Sequence, residues 1–210
     1  EEMRKRNIHM RLGLGGISAP MVHLMEEGLI ELLVDTQDFD LEAVHSIQEH
    51  PDKHIEITCS EYANPLNKGA YVNKVDIHFN CNVVTDSSGI ITGAQGGHPD
   101  TAAGAKCTII MTPLLQGRSP AVCTDVTTVT TPGETVDVVI TDHGIAINPA
   151  RPDLIEAATA SGLHIQTIEE LRDLAYSIAG EPEKISFGNR IVGIIEARDG
   201  SIIDVVRQYK

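Results

Sequence analysis

The chain has 210 residues, 41% hydrophobic and 22% charged, which is enough for one sizeable domain with a buried core. Its formal net charge is −14, and a surface this acidic repels nucleic-acid backbones and anionic membranes. No apolar stretch reaches the roughly 20 residues that span a bilayer, and no signal peptide is visible. We therefore expect a cytoplasmic protein with neither nucleic acid nor membrane as a partner.

The first part of the chain predicts alternating strands and helices. Apolar and polar residues alternate over 8–14, and residues 30–37 form a second, more apolar run typical of a buried strand. Ser18 is expected to cap a helix after the first strand, and Asp40 a helix after the second, which Pro51 ends. This order predicts a parallel sheet.

The rest of the chain predicts further strands, two helices and a hairpin. Helices with acidic first turns and a closing glycine are expected at 151–162 and 167–180, and the sequence RDGS predicts a hairpin turn within 189–208. β-Branched runs typical of strands lie at 54–60, 81–85, 107–114, 121–124, 128–133 and 136–148. The whole predicts one α/β domain over residues 1–210, with an open, mostly parallel sheet, flanking helices and a C-terminal hairpin.

The stretch IITGAQGGHPDTAAGAK, residues 90–106, has five glycines between two expected strands. It lacks the Lys-Ser/Thr pair of a phosphate-binding P-loop and the G-x-G-x-x-G spacing of a dinucleotide fingerprint. A turn at Gly96 and Gly97 can point backbone N–H groups at an oxyanion or carbonyl, with Asp100 capping the helical turn behind it. The alternative is a tight turn with Asp100 as an ordinary N-cap.

A second unusual stretch is TDHGIAINPARPD, residues 141–153. Asp142 and His143 follow a buried strand, where open α/β sheets bind ligands. Arg151 then offers a cation for a carboxylate or phosphate. The alternative is a polar strand end followed by a solvated arginine.

Neither the cysteines nor the histidines have metal-binding spacing. His45, His50 and His54 flank Pro51, which interrupts the helix that would put them on one face. We predict no metal site. Four cysteines lie in apolar runs without a CxxC pair and are expected to be buried free thiols: Cys59, Cys81, Cys107 and Cys123.

Three long segments carry a family resemblance: GGISAPMVHLMEEGLIE, GGHPDTAAGAK, and SPAVCTDVTTVTTPGETVDVVITDHGIAINPARPDL. Together they closely resemble the C-terminal half of the citrate lyase alpha-chain family, relatives of the CoA transferases, and the likeness covers essentially all 210 residues. The resemblance implies a CoA-transferase-like fold and an origin in a longer chain. It also implies exchange of acetyl for citryl on an acyl-carrier-protein thioester, with release of acetate.

The same resemblance implies partners and substrates. They would be citrate, an acetyl thioester, the acyl carrier protein (gamma) subunit, and a beta subunit that cleaves the citryl thioester, in an oligomeric complex. No cofactor would be bound tightly, because the enzyme acts on the CoA-derived phosphopantetheine arm of the carrier, or on CoA thioesters.

Site residues also follow from the resemblance. Gly96, Gly97 and Asp100 match the GG-x-x-D loop beside the thioester, and Arg118 or Arg151 would hold citrate carboxylates. Other matching thioester-binding positions are Thr141, Asp142, Gly144, Gly15 and Gly16.

One departure concerns the catalytic residue. In covalent CoA transferases a glutamate attacks the thioester, but here Ile77 runs directly into His78 where related chains carry an extra segment with an acidic residue. We expect that segment to be unrepresented, so the catalytic residue is unknown. Glu61 is the nearest remaining candidate, although a surface glutamate is the better interpretation. Two alternatives stay open: a non-catalytic docking module, and a thioester hydrolase of the same fold.

Overall fold

The computed structural model describes residues 1–63, 77–80, 84–93 and 95–210. The chain divides into two compact units, Glu1–Tyr71 and Val72–Lys210. Across the described ranges, no helix is both long and apolar enough to cross a membrane. The prediction of one domain over 1–210 stays a prediction, and the two units are described in turn.

The first unit alternates strands and helices, as the sequence predicts. Its three strands are all parallel, in the order β1-β2-β3. The predicted strand at 54–60 is shorter than expected, because a new helix begins at Cys59. The elements are α1 (Glu2–Arg6), β1 (Met10–Ile17), α2 (Ala19–Glu26), β2 (Ile30–Asp38), α3 (Leu41–Glu49), β3 (His54–Glu56) and α4 (Cys59–Ala63).

The core of this unit lies between the sheet and its helices. Each aliphatic side chain buried there contributes roughly 1.5–3 kcal/mol of transfer free energy. This apolar contact, rather than helix propensity, holds short helices such as α2 in place. The buried cluster consists of Ile17, Val22, Met25, Ile30, Leu33 and Ala43.

One carboxylate serves the N-termini of two helices of the first unit, α2 and α3. Asp40 Oδ1 accepts a hydrogen bond from the Ala43 N–H at 2.9 Å, which caps α3 as predicted. Its Oδ2 accepts from the Ala19 N–H at 2.8 Å, at the first residue of α2. Ser18 is the N-cap residue of α2, but its side chain makes no capping bond. Asp40 therefore supplies the side-chain cap of α2 that the sequence predicts from Ser18.

The second unit is built on a five-stranded sheet in the order β10-β9-β8-β5-β4. Strands β4, β5 and β8 are parallel, and β9 is antiparallel to β8 but parallel to β10. Its elements are β4 (Ile77–Asn80), α5 (His98–Gly104), β5 (Cys107–Met111), β6 (Leu115–Gln116), β7 (Ser119–Pro120), β8 (Val138–Thr141), β9 (Gly144–Ile147), α6 (Pro152–Ala160), β10 (Ile165–Gln166), α7 (Ile168–Ala179), β11 (Phe187–Glu196) and β12 (Ile202–Tyr209).

The predicted fold class is confirmed: an α/β fold with mostly parallel sheets, flanking helices and a C-terminal hairpin of β11 and β12. Two predicted strands, 121–124 and 128–133, are wrong, because these β-branched runs have no strand partner in the described sheets. The predicted strand at 136–148 is two antiparallel strands joined by a tight turn at Asp142 and His143.

Helix α7 closes the core of the second unit. Thr167 Oγ1 accepts from the Glu170 N–H, and Glu170 Oε2 accepts from the Thr167 N–H, forming the capping box that begins the helix. Gly180 follows its last residue, as predicted. The buried residues packed together are Leu114, Val122, Ala146, Leu171 and Ala175.

The cysteine prediction is confirmed in part. Cys59, Cys107 and Cys123 are free thiols, whereas Cys81 lies outside the described residues. Cys59 is exposed rather than buried, because it begins the surface helix α4. Burial raises the pKa of the thiols of Cys107 and Cys123, which disfavours the reactive thiolate.

Candidate functional site

The glycine loop of the second unit leads directly into α5. Gly97 is the N-cap residue, and its carbonyl accepts from both the backbone N–H and the Oγ1 of Thr101. Asp100 lies in the first turn of the helix, so its predicted role as the cap is wrong. Gly96 has φ 57°, and a Cβ added there would have no atom within 4 Å. Its backbone is therefore exposed to open space.

Two titratable groups of α5 are shaped by burial. Burial lowers the pKa of His98, which favours the neutral imidazole. Burial also raises the pKa of Asp100, and the nearby charge of Arg198 opposes that shift. Arg198 lies between β11 and β12, in the segment that the sequence predicts only as a hairpin turn. The cation beside Asp100 could not be found from local sequence, because 98 positions separate the two residues.

The predicted motif Thr141, Asp142 and Gly144 forms the turn between β8 and β9. Thr141 Oγ1 accepts from the Gly144 N–H at 3.0 Å and donates to the Gly144 carbonyl at 3.1 Å. Asp142 Oδ1 accepts from the Leu114 N–H at 2.7 Å and lies 3.0 Å from His143 Nδ1. These contacts, led by the Leu114 N–H, hold the pKa of Asp142 below its ordinary value. The carboxylate is ionised at neutral pH and still exposed.

Close packing accounts for Gly144 itself. A Cβ at this position would overlap the Gln166 side-chain oxygen and press on Leu171. The internal packing of the second unit therefore favours glycine at this position, independently of any ligand.

The topology groups several predicted residues at one edge of the five-stranded sheet. The turn at Asp142 lies at the carboxyl end of β8, and Leu114 follows the carboxyl end of the parallel strand β5. Helix α5 ends shortly before β5 begins, so its Gly97 end lies toward the same carboxyl edge. Arg118, in the turn between β6 and β7, follows Leu114 by four residues and is exposed. This is the edge at which α/β sheets bind ligands.

Arg151 lies at the opposite edge. Its guanidinium pairs with Asp137 at 2.7 Å and Asp153 at 2.8 Å, and donates to the Lys106 carbonyl at 3.1 Å. Lys106 and Asp137 immediately precede β5 and β8, at their amino ends. Because β9 runs antiparallel to β8, its four residues carry the chain about 13 Å away from the Asp142 turn. The structure does not bring Arg151 together with the other predicted residues of the second unit.

Among the cavities lined by described residues, a polar one and an apolar one belong to the second unit. One, of about 210 Å³, is polar, lies at the amino edge beside Arg151, and includes Lys106, Glu134 and Asp137 in its lining. The other, of about 450 Å³, is apolar and is lined chiefly by the C-terminal hairpin and the segment before it. Arg207 is the charged residue among the lining groups of the apolar cavity.

Gly15 and Gly16 belong to the first unit, at an irregularity near the end of β1. Gly15 pairs in register with Asp35 and Gly16 with Gln37, so the register shifts by one residue between them. A Cβ on Gly16 would overlap the ring of Phe39. Packing against this phenylalanine explains the glycine without a ligand.

Glu61 has a structural task in the first unit. Its Oε2 accepts from the Thr58 N–H at 2.9 Å and from Thr58 Oγ1 at 3.0 Å, while the Glu61 N–H donates to Thr58 Oγ1. These bonds hold the pKa of Glu61 below its ordinary value. A capping carboxylate is a weaker nucleophile candidate than a free one, which agrees with the surface interpretation.

Sequence reasoning missed a buried polar cluster formed by His54, Asp35 and Asp38 in the first unit. His54 Nε2 lies 3.1 Å from Asp35 Oδ2 and 3.9 Å from Asp38 Oδ1. Burial, followed by the nearby Asp38 carboxyl, raises the pKa of Asp35 to about 7, and burial lowers the pKa of His54. Within the described residues, this is the group whose donor atoms are spaced to hold a metal ion.

Comparisons with known proteins identify the family. The family model described as citrate lyase, alpha subunit (CitF), matches residues 1–209. Citrate lyase alpha chains from Klebsiella pneumoniae and Haemophilus influenzae are 48% and 49% identical to the chain over its full length, which is 43% and 44% of theirs. The chain thus spans less than half the length of these curated relatives. Both alignments run over 220 positions, ten more than this chain's 210 residues.

A solved structure gives the same answer. A crystal structure described as the alpha subunit of citrate lyase in complex with citrate, from Streptococcus mutans, is 47% identical and superposes with a TM-score of 0.92. It covers 100% of this chain and 43% of the other. With a family model matching nearly every residue, the chain belongs to the citrate lyase alpha subunit family.

Proposed function

We propose that this chain contributes to a citrate:acetyl-acyl-carrier-protein transferase, the alpha subunit of citrate lyase. The observation that carries the proposal is the 48% identity to citrate lyase alpha chains along the whole sequence. The substrates would be citrate and an acetyl thioester, on the CoA-derived phosphopantetheine arm of the carrier or on CoA. The gamma carrier protein and the beta subunit would be partners in an oligomeric complex, with no tightly bound cofactor. The expected cytoplasmic location is part of this proposal.

The reaction exchanges one acyl group for another on the same sulfur. The acetyl–sulfur bond breaks and a citryl–sulfur bond forms, while one oxygen of the reacting citrate carboxylate leaves with the acetyl group as acetate, so the thioester count is unchanged. The thioester carbonyl is polar, but the acyl-pantetheine chain around it is bulky. Backbone N–H groups of glycine can approach the carbonyl closely because no side chain stands between them. The exposed Gly96 backbone, open where a Cβ would stand, supports this role for the Gly96–Gly97 loop.

Arg118 is the stronger candidate for a citrate carboxylate. It is exposed on the carboxyl side of the five-stranded sheet and has no hydrogen-bond or ion-pair partner within the described part of the chain. Arg151 already serves two carboxylates at the other edge. Both remain predictions, and the two arginines differ in a way that kinetics can separate.

The acidic nucleophile expected between Ile77 and His78 remains unassigned. The ten additional positions in the alignments support a length difference from the relatives within the matched region. Intact mass and a peptide map of residues 74–82 test this directly. A mass above 22.7 kDa with extra residues at that point would supply the segment, and its glutamate would then be the residue to replace.

Transfer is tested with the complete protein, acetyl-CoA and acetyl-acyl-carrier protein as donors, and citrate as acceptor. We expect citrate-dependent acetate release with formation of citryl thioester. Gly97→Val should abolish transfer, while Gly133→Val, at a glycine whose added Cβ meets nothing within 4 Å, serves as the matched control. Acetate release without citrate would indicate the hydrolase instead. Full transfer by Gly97→Val would refute the loop assignment.

The docking alternative rests on the same length difference. If the mass equals 22.7 kDa, the expected acidic segment is absent from the protein. The chain would then bind the carrier or the beta subunit without performing chemistry. Binding of the carrier with no acyl transfer under the assay above is the result that this alternative predicts.

A further inference from the structure

The cluster of Asp35, Asp38 and His54 in the first unit is so deeply buried that its charges need partners to replace the lost water. Asp35 and His54 are 0% and 1% exposed, and the Asp38 side chain is 9% exposed. Transferring an ionised carboxylate from water into a protein interior costs several kcal/mol unless opposite charge or hydrogen bonds replace the lost water. Two carboxylates close together raise that cost.

The hydrogen bonds present do not provide this compensation. Asp35 Oδ2 is 3.1 Å from His54 Nε2, but Asp35 Oδ1 and Asp38 Oδ1 have no hydrogen-bond partner among the described residues. Buried polar atoms without partners are uncommon and call for an explanation, such as an ion. Within the described part of the chain, the cluster therefore lacks a positive charge or hydrogen-bond donor for these two buried carboxylate oxygens.

The imidazole of His54 is also bonded through its other ring nitrogen, on the side away from the aspartates. Ser46, 1% exposed on α3, places its Oγ 2.9 Å from His54 Nδ1. With Nδ1–H donating to this hydroxyl, the Nε2 lone pair points at Asp35 and Asp38. Metal-binding histidines are fixed in this way, with the second ring nitrogen bonded to a protein oxygen.

The spacing of the donor atoms suits a small divalent cation. In a tetrahedral site with bonds of about 2.0–2.2 Å, neighbouring donor atoms lie roughly 3.3–3.5 Å apart. The observed distances from His54 Nε2, 3.1 Å to Asp35 and 3.9 Å to Asp38, lie on either side of that value. All three donor atoms lie within 4.8 Å of one another.

Charge and donor type narrow the class of metal. A bound divalent cation would displace the proton that the raised pKa of Asp35 favours, and its charge would neutralise the −2 of two ionised aspartates beside a neutral histidine. A site with one imidazole and two carboxylates suits Zn²⁺ or a similar transition metal. Calcium takes six to eight oxygen ligands, and magnesium retains several waters, so neither matches three donors in a buried site.

We propose that Asp35, Asp38 and His54 form a buried site for a divalent transition metal, with Zn²⁺ as the representative ion, that stabilises the three-stranded unit. The metal would join the end of β2 to the start of β3, and Ser46 would orient the histidine from α3. This role is structural and independent of the transferase proposal. It also differs from our expectation of no metal, which considered His45, His50 and His54 but not the two aspartates.

The experiment uses the complete protein, without a histidine tag, dialysed against a chelator and then titrated with Zn²⁺. We expect binding of about one equivalent per chain and a rise in Tm that the chelator reverses. Substitution with Co²⁺ should give the visible absorption of a low-coordinate nitrogen–oxygen site. The competing occupant is a proton shared between the two carboxylates, which predicts no metal uptake and no chelator effect.

Variants locate the site. Asp38→Asn should lose the bound metal, whereas His45→Asn, at an exposed histidine on α3, should keep it. Because replacing a buried ligand can prevent folding, Ser46→Ala provides a milder variant that retains all three ligands. We expect Ser46→Ala to weaken Zn²⁺ affinity about 10–100-fold. Undiminished binding by both Asp38→Asn and Ser46→Ala would overturn the proposal, as would failure of the native protein to take up metal.

Discussion

Asp142 accepts a hydrogen bond from the backbone N–H of Leu114 at 2.7 Å, which ties the turn between β8 and β9 to the loop that follows β5. These two strand ends come from segments 28 positions apart. The bond therefore holds together the carboxyl edge on which the residues predicted to bind the thioester and citrate lie.

Acid should weaken this connection. The pKa of Asp142 is lowered in the folded protein, chiefly by the Leu114 N–H and then by His143. The folded state thus binds fewer protons than the unfolded state, so the carboxylate stabilises above the unfolded pKa and loses that effect as pH falls through the folded pKa. We expect Asp142→Asn to reduce the drop in Tm between pH 7 and pH 3. Asp52→Asn, in the turn after α3, is the control and should leave the drop unchanged.

Asp40 should contribute more than an ordinary helix cap. Alanine removes the acceptors for both Ala43 and Ala19, while serine can still cap α3 but cannot span both helices. We expect Tm to decrease in the order wild type, Asp40→Ser, Asp40→Ala. Thermal unfolding followed by circular dichroism measures the order. Equal effects of serine and alanine would show that the bond to Ala19 adds nothing.

Gly16 offers a test that separates packing from ligand binding. Gly16→Ala should clash with the Phe39 ring and destabilise the protein by about 1 kcal/mol, since Phe39 is 65% exposed and has some room to move. Phe39→Ala should relieve the clash, so the double variant should regain stability in urea unfolding. If Gly16 also binds the thioester, activity would stay low in that stable double variant.

Leu171 should be the most costly truncation in α7. It is 0% exposed and packs in the second core, so Leu171→Ala should lower the free energy of unfolding by about 2–5 kcal/mol. Leu163, 51% exposed, provides the matched control, with an expected change within about 0.5 kcal/mol. Urea titration of both variants makes the comparison, and similar losses would contradict the buried position of Leu171.

Substitution of Arg118 should change the KM for citrate, whereas substitution of Arg151 should change Tm. A charge-assisted bond to citrate is worth about 1.5–3 kcal/mol, so Arg118→Gln should raise the KM for citrate about tenfold or more while Tm stays near wild type. Arg151→Gln breaks the pairs with Asp137 and Asp153 and should lower Tm. A raised KM with unchanged Tm in Arg151→Gln would make Arg151 the citrate ligand after all.

Local signals in the sequence predict the features that depend on neighbouring residues. Asp40 and Thr167 begin α3 and α7 as expected, and the RDGS turn joins β11 to β12. The sequence predicts Asp142 and His143 at the end of a strand but not the reversal into β9, because β-branched residues on both sides are typical of one continuous strand. The strand propensity of residues 121–124 and 128–133 also gave wrong predictions, because the described fold supplies no partner strand there.

Features that depend on distant residues lie beyond local signals. His54 meets Asp35 because β3 pairs with β2 in a register that sets Leu33 opposite His54. Nothing in the sequence near His54 specifies that register. Arg198 reaches the vicinity of Asp100 through the C-terminal hairpin, which again needs the tertiary fold.

The reversal of β9 gives the second unit two ends with separate tasks. The Arg151 ion pairs clasp the amino edge, while the Asp142 turn and Arg118 lie at the carboxyl edge. On the proposed transferase function, substitutions at the amino edge should change how long the protein survives, and substitutions at the carboxyl edge should change which acid it accepts, with little trade-off between lifetime and selectivity.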